Sequence, residues 1–586
     1  MEMEKKNVAI IILAVILAAS GVGNILLGMQ LGLIEVVPPP KTQDLVFGAV
    51  SGNIVWLDPH MSYDTASNDV IDQIVEQLYQ FNLSDPSFGM IPWLATDFPT
   101  ISPNGLEYTI SLRTGIKYHD GTDFNATTMK WSLDRLMYFM NYSSNADLPA
   151  PFNVSLPAGL LPTQLGILYE QPDGKRVINR TEVIGSHTIK IVLNAPKGSF
   201  MPVLAYTASG ALSPASTPPL RYYELSEKLV GTGPFIYKYY VADIEVKFDP
   251  NPGYWGTPDN LGPTKLTSLT YSIIPDLTTM LQGLLAGDID LTDSMLASFI
   301  PQLEADPDVE IIDAGNSLTI GWIAFNYLRI NITMRKAIAW CYNYSYVIDV
   351  VTEGLNLRLP SPIPWGIPFA NYSLNAPNYP DFVDYTIAQD FLLNDVGYAA
   401  KLATAGITDT SPDSAWIALA NGPTPLESYN YSWNIGNDVA RDQGERLSFD
   451  MERIGVKLTV IGKAWADHLD DIVNHRDELD LYRLGWAPDY LDPENYINPM
   501  FDNGSSTNGG NFWEYDVQTL MDAGLTETDP VAREHIYNEI QRLMVEEYLP
   551  ALWMYTGRNF DAWRVGVKGW QPNPLARVWM HPVYFE

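Results

Sequence analysis

The chain holds a single cysteine, Cys341, in 586 residues. No internal disulfide can brace the fold, and thiol usage does not assign a compartment. Basic residues are scarce, with 35 Lys and Arg against 69 Asp and Glu and a formal charge of −34. Neutralising a phosphate backbone takes clusters of Lys and Arg, so nucleic-acid binding is excluded. There is no G-x-S-x-G elbow, no H-E-x-x-H pair and no phosphate-binding loop, so the common hydrolase and nucleotide chemistries have no foothold. The seven histidines are scattered. His468 and His475 share a helical face with Asp467 and Asp471 nearby, a set that could hold a divalent ion. Leu469, Ile472 and Val473 form the apolar stripe of the same helix, which makes the polar groups its wet side. The expectation is a protein with no metal, no cofactor and no catalytic centre.

What the chain does have is globular. Apolar residues make up 46% and aromatic residues 12%, enough to exclude a disordered polymer. The length exceeds one ordinary core and implies at least two lobes. Lys5 and Lys6 precede an uncharged stretch from Val8 to Ile34. A signal core is usually about 7–15 residues and a membrane span needs about 20, so residues 1–35 read as an uncleaved anchor with a cytoplasmic start. A cleaved signal, cut near Ala18-Ala19-Ser20-Gly21, is the alternative. Residues 36–44, rich in proline, form a stiff linker. Asn-x-Ser/Thr sequons recur from Asn82 to Asn503, as in a glycosylated exported protein.

Local patterns predict the elements. Leu106, Tyr108, Ile110 and Leu112 alternate with polar residues as a half-buried strand. His119-Asp120-Gly121 is turn chemistry, and Asp123 or Asn125 can cap the helix that follows. Asp69 to Gln80 carries its apolar residues at helical spacing. Asn141 to Arg180 lacks periodicity and reads as a surface excursion. Glu445 to Ile454, Gly455 and Val456 to Leu458 read as helix, glycine stop and strand. Val531 to Tyr548 reads as one helix, and Leu552 to Trp570 as an aromatic strand.

Seven segments in order resemble a known family. Leu112 to Leu136 (LRTGIKYHDGTDFNATTMKWSLDRL) is similar to the signature of the large extracytoplasmic solute-binding proteins of the peptide/nickel class. Trp56-Leu57-Asp58-Pro59, Gly231 to Phe235, Asn251 to Gly256, Leu285 to Asp290, Phe325 to Ile338 and Leu484 to Pro493 match further segments. The resemblance implies a two-lobe α/β fold of the periplasmic-binding-protein type (class II, cluster C), with an extra subdomain in the first lobe. Lobe I would span residues 45–318 with the subdomain at about 68–185, lobe II 319–549, and residues 550–586 would return to lobe I. It implies capture of an oligopeptide, or alternatively an oligosaccharide, and delivery to an ABC permease and ATPase. Asp489 would take the ligand's α-ammonium and Arg483 its α-carboxylate, with Trp486 as a wall. The loop at Tyr63, Asp64 and Thr65 and the side chain of Trp365 would contact the ligand. Asp58, His119 and Asp120 read as structural. A zwitterion enclosed between lobes loses its hydration, so each of its charges needs a hydrogen-bonded counter-charge.

Overall fold

The computed structural model describes residues 43–586, apart from 50–52, 84–88, 141–144, 161–162, 164, 171–174, 257–261, 296, 375–381, 506, 574 and 576. The expected anchor and most of the linker lie outside the described residues. Among the described residues no helix is long and apolar enough to cross a membrane.

The architecture is two-lobed and mixed α/β, and one eleven-stranded sheet runs through it. In order, the main path is Val456–Lys463, Glu427–Asn434, Leu481–Trp486, Val309–Phe325, Ala551–Arg564, Leu291–Thr292, Asp44–Ala49, Ser268–Ile273, Glu245–Pro250 and Phe235–Val241. The two central strands are long, 17 and 14 residues, antiparallel, and shared by both halves. Their pairing breaks between Asn316↔Arg558 and Ile320↔Thr556. Ser317, Leu318 and Thr319 there bulge opposite Gly557, and a bulge bends the strand that carries it.

Parallel pairs flank this bend on each side. Asp44–Ala49 pairs parallel with Ser268–Ile273 and meets Leu291 on its other edge. Glu427–Asn434 pairs parallel with Val456–Lys463 and Leu481–Trp486. One core packs Phe47, Phe248 and Tyr271; another holds Trp322, Trp416 and Trp553. A separate four-stranded sheet, Thr100–Ile101, Glu107–Ser111, Thr188–Leu193 and Ile178–Gly185, packs with the helix Ala126–Phe139.

Several local expectations hold. Tyr108 and Ile110 are buried on a strand at Glu107–Ser111. Asn125 caps the next helix, its side-chain oxygen accepting from the amides of Thr127 and Thr128. Gly455 ends a helical stretch at φ 74° before the strand Val456–Lys463. Cys341 is buried.

Others do not. The apolar run Asp69 to Gln80 is buried but is not one helix: the helix is Thr65–Ile71, and Tyr79 already belongs to a strand. The carbonyls of Gln73 and Ile74 accept instead from the amides of Phe235 and Gly233. A Cβ at Gly231 or Gly233 would overlap the Ile74 backbone, so the glycines of this turn permit the approach. The stretch from Asn141 to Arg180 is not merely a surface excursion, since Phe152, Leu168 and Tyr169 are fully buried and Phe152 packs on Trp131 at 5.5 Å. Val531 to Tyr548 is helical, but its last turn from Leu543 winds more widely, as a π-helix.

Candidate functional site

In open α/β sheets ligands bind outside the carboxyl ends of parallel strands. Three parallel strands end at Asn434, Lys463 and Trp486, and a cavity of about 520 Å³ opens there. Its walls include Asn434, Trp465, Arg483, Gly485 and, from the central strands, Thr319 and Tyr555. Trp465 is half exposed at the start of its helix.

Arg483 is 7% exposed and sits on the cavity wall. Its guanidinium folds back over Gly321, where any Cβ would overlap it. Nε donates to Gln443 Oε1 at 2.9 Å, Nη1 to the Leu484 carbonyl, and Nη2 to the Tyr555 hydroxyl at 3.4 Å. All three partners are neutral. Among the described residues Arg483 has no carboxylate within ion-pair distance.

Beyond the strand, the Pro- and Asp-rich turn is organised by Asn495. Its Oδ1 accepts from the Asp489 amide (2.8 Å) and the Trp486 indole (3.2 Å), and its Nδ2 donates to Asp489 Oδ2 (2.7 Å). Tyr63, 426 residues earlier in the chain, donates its hydroxyl to the same carboxylate oxygen at 2.8 Å. Arg577 donates only to the Asp489 carbonyl, at 3.4 Å, and is ion-paired with Asp72. Burial pushes the Asp489 carboxyl up to about 6, against the opposing effect of the Asn495 and Tyr63 hydrogen bonds and the Arg577 charge. Asp489, like Arg483, has no salt bridge among the described residues.

The spacing R-x-x-W-x-x-D therefore does not gather three side chains at one point. Arg483 and Trp486 lie on opposite faces of their strand by the two-residue period. Trp486 is fastened to Asn495, and Asp489 lies past the strand end against Tyr63. Asp64 caps the helix Thr65–Ile71 by accepting from the Ser67 amide, and Thr65 is exposed at its first position. Trp365 is 46% exposed, stacked on Tyr372, and does not line the cavity. Asn495 and Gln443 escaped the sequence reading. Asn495 could have been sought as the amide that fixes a turn crowded with prolines, whereas nothing local marks Gln443, which reaches Arg483 from another helix.

The remaining polar suspects are occupied by the fold. Asp58 is fully buried and ion-paired with Arg135 at 2.5 Å. His119 meets the Gly233 carbonyl at 2.9 Å, and Asp120 accepts from Ser213 and Ser216. His468 is buried with Nε2 2.9 Å from the Arg483 carbonyl.

Comparison with known proteins gives consistent results. The model of the bacterial extracellular solute-binding proteins, family 5 (middle), matches residues 89–508. The dipeptide-binding protein of Escherichia coli (strain K12) is 24% identical, over 96% of this chain and 98% of that protein. Heme-binding protein A of Haemophilus influenzae is 25% identical, over 88% of this chain and 86% of that protein. Among solved structures, the ABC transporter-associated periplasmic binding protein DppA from Helicobacter pylori, in complex with peptide STSA, superposes with a TM-score of 0.71 at 22% identity, covering 93% of this chain and 98% of that one.

Proposed function

This chain belongs to the bacterial extracellular solute-binding proteins of family 5, and from that premise we propose that it captures oligopeptides between its lobes and delivers them to an ABC permease. It is a binding protein and not an enzyme. The observation that carries the peptide reading is a pair of opposite charges left without ionic partners. Arg483 is a buried guanidinium beside a 520 Å³ cavity with only neutral acceptors. Asp489 is a carboxylate held by one amide and one phenol. Each is under-compensated until an ion of opposite sign arrives, and a peptide brings both signs on one backbone. The relatives named for dipeptides and for a bound peptide support the same ligand class.

In this reading Asp489 receives the α-ammonium in exchange for the Tyr63 hydroxyl. Arg483, whose planar fork suits a carboxylate, receives the other terminus. Trp486 flanks the ligand, and the backbone at Tyr63, Asp64 and Thr65 and the ring of Trp365 close on it when the lobes do. The lobes divide as residues 45–318 and 319–549, with 550–586 returning to the first and the subdomain at about 68–185. They rotate about the bulge at Ser317 to Thr319 and Gly557, where the pairing of the two central strands breaks. Residues 1–35 anchor the protein to the membrane and the sequons carry glycans outside the cell.

Isothermal titration with di- to pentapeptides and with cello- and manno-oligosaccharides tests the assignment. Micromolar peptide binding lost in Asp489→Ala is the expected result. Sugar binding that is indifferent to Asp489→Ala would overturn it.

A further inference from the structure

The cavity face continues past the hinge into the first lobe. On Ala551–Arg564 the residues that line it are Tyr555, Gly557 and Asn559, every second position. Asp561 is the next on that face. The register that sets Thr292 opposite Ala562 carries Asp293 beside Asp561, two like charges on adjacent strands. Asp69 comes from the helix Thr65–Ile71, whose Val70 and Ile71 pack in one core with Phe47 and Leu291.

None of the three has a salt bridge among the described residues. Asp561 accepts from the Trp570 indole at 2.7 Å and Asp293 from the Ser294 hydroxyl at 3.1 Å. Burial raises all three carboxyls, Asp293 to about 6 and Asp561 to about 8; Asp293 adds to the rise at both Asp561 and Asp69. Tyr271 stands close to Asp69 and Asp293, whose charges add to the rise that burial causes at its hydroxyl. Tyr271 is 2% exposed, its hydroxyl has no hydrogen-bond partner, and it lines a small cavity together with Asp69. A buried hydroxyl left unpaired costs about 1–3 kcal/mol, so the position favours a ligand with hydrogen-bonding capacity. The nearby cation, Arg577, is engaged by Asp72 at 2.8 Å.

We propose that Asp69, Asp293 and Asp561, with the Tyr271 hydroxyl, form a second cation site on the first-lobe wall, which receives the ammonium or guanidinium of a basic side chain on the captured ligand. This rests on the peptide reading and narrows it to lysine- and arginine-bearing peptides. Ionised carboxylates take the N–H donors, and the phenol oxygen accepts one more.

The test is titration of the whole protein with matched tripeptides carrying lysine or leucine at each position. At least one lysine isomer should bind about tenfold more tightly than its leucine counterpart. In the Asp69→Asn/Asp293→Asn variant that preference should vanish, with leucine-peptide affinity and ligand-free Tm kept or raised. Leucine peptides that match every lysine isomer, or a lysine preference that survives the variant, would overturn the cation site and leave peptide capture standing. Failure of all the tripeptides to bind would overturn the peptide reading and the cation site with it.

Discussion

Two ionic centres in this molecule are built from the same residue types and left in opposite states. At Asp58 the charge is complete: both carboxylate oxygens accept from Arg135, and the amides of His60 and Tyr223 add two more bonds. Arg135 in turn donates to the carbonyls of Pro218 and Arg221. Burial alone would raise the Asp58 carboxyl, but the Arg135 charge and hydrogen bonds outweigh it and hold the group below its ordinary range. At the cleft the acid and the base are kept apart. Asp489 and Arg483 are each half-satisfied by neutral partners, and the same carboxyl group is pushed up instead of down. A completed pair is costly to break, whereas separated, unfinished charges are available to a ligand. The Asp492–Arg533 pair, three residues from Asp489, is likewise closed, at 2.5 Å, although there burial outweighs the Arg533 charge and hydrogen bonds and raises the carboxyl.

The contrast fails if the finished centre proves dispensable. Arg135→Ala leaves the Asp58 carboxylate buried alone, and breaking such a pair costs on the order of 3–5 kcal/mol. Urea unfolding should show that loss, and the folded fraction should bind ligand with unchanged affinity. Asp489→Asn should do the reverse. It preserves the shape and the bond from Tyr63, leaves ligand-free stability equal or higher, and weakens peptide binding about 100-fold, or about 2.8 kcal/mol. A variant that loses stability and keeps its affinity would place Asp489 with Asp58.

Arg483→Gln sharpens the comparison with a smaller effect, about tenfold in affinity, because one neutral group replaces a charge that already has three acceptors. Its loss should match the loss caused by amidating the peptide's C-terminus, and the two changes together should cost no more than either. Additive losses would mean that Arg483 does not meet the carboxylate.

How much of this was legible in the sequence follows from how local each cause is. The strand at Glu107–Ser111 and the Asn125 cap are decided within a few residues, so alternation and side-chain chemistry revealed them. The run from Asp69 to Gln80 shows helical spacing without being one helix because burial from two sides mimics that spacing, and the partners of its carbonyls, Gly233 and Phe235, lie about 160 residues away. At the site, Asp489 and Arg483 came from a motif. What the motif could not convey is that Trp486 faces away from Arg483, that Tyr63 reaches Asp489 across 426 residues of chain, and that Asp293 and Asp561 become neighbours only through sheet register.

The weakest test, in size, is the pH dependence, and it separates the two centres by sign. Asp489 and Asp293 titrate at about 6 and Asp561 at about 8, all above the unfolded value near 4. Folding therefore favours their protonated forms: their contribution to stability is full below about pH 4 and is lost as pH rises through 6 and then 8. Asp58, held low by Arg135, contributes above about pH 4, and that contribution is lost as the solution becomes more acidic and the group protonates. These three carboxyls should thus add stability from pH 8 down to about 5, whereas the buried His60, His119, His468 and His581, held low by burial, draw on it below about pH 6.5 and Asp58 draws on it lower still. Peptide affinity should move the other way over the upper range, rising through pH 6 as Asp489 ionises to meet the α-ammonium. Thermal melts across pH 4–8 for the parent and Asp489→Asn decide the point. The variant should flatten the slope near pH 6 and leave the acid limb in place, because that limb belongs to groups held low elsewhere, among them Asp58, Glu227 and the buried His60.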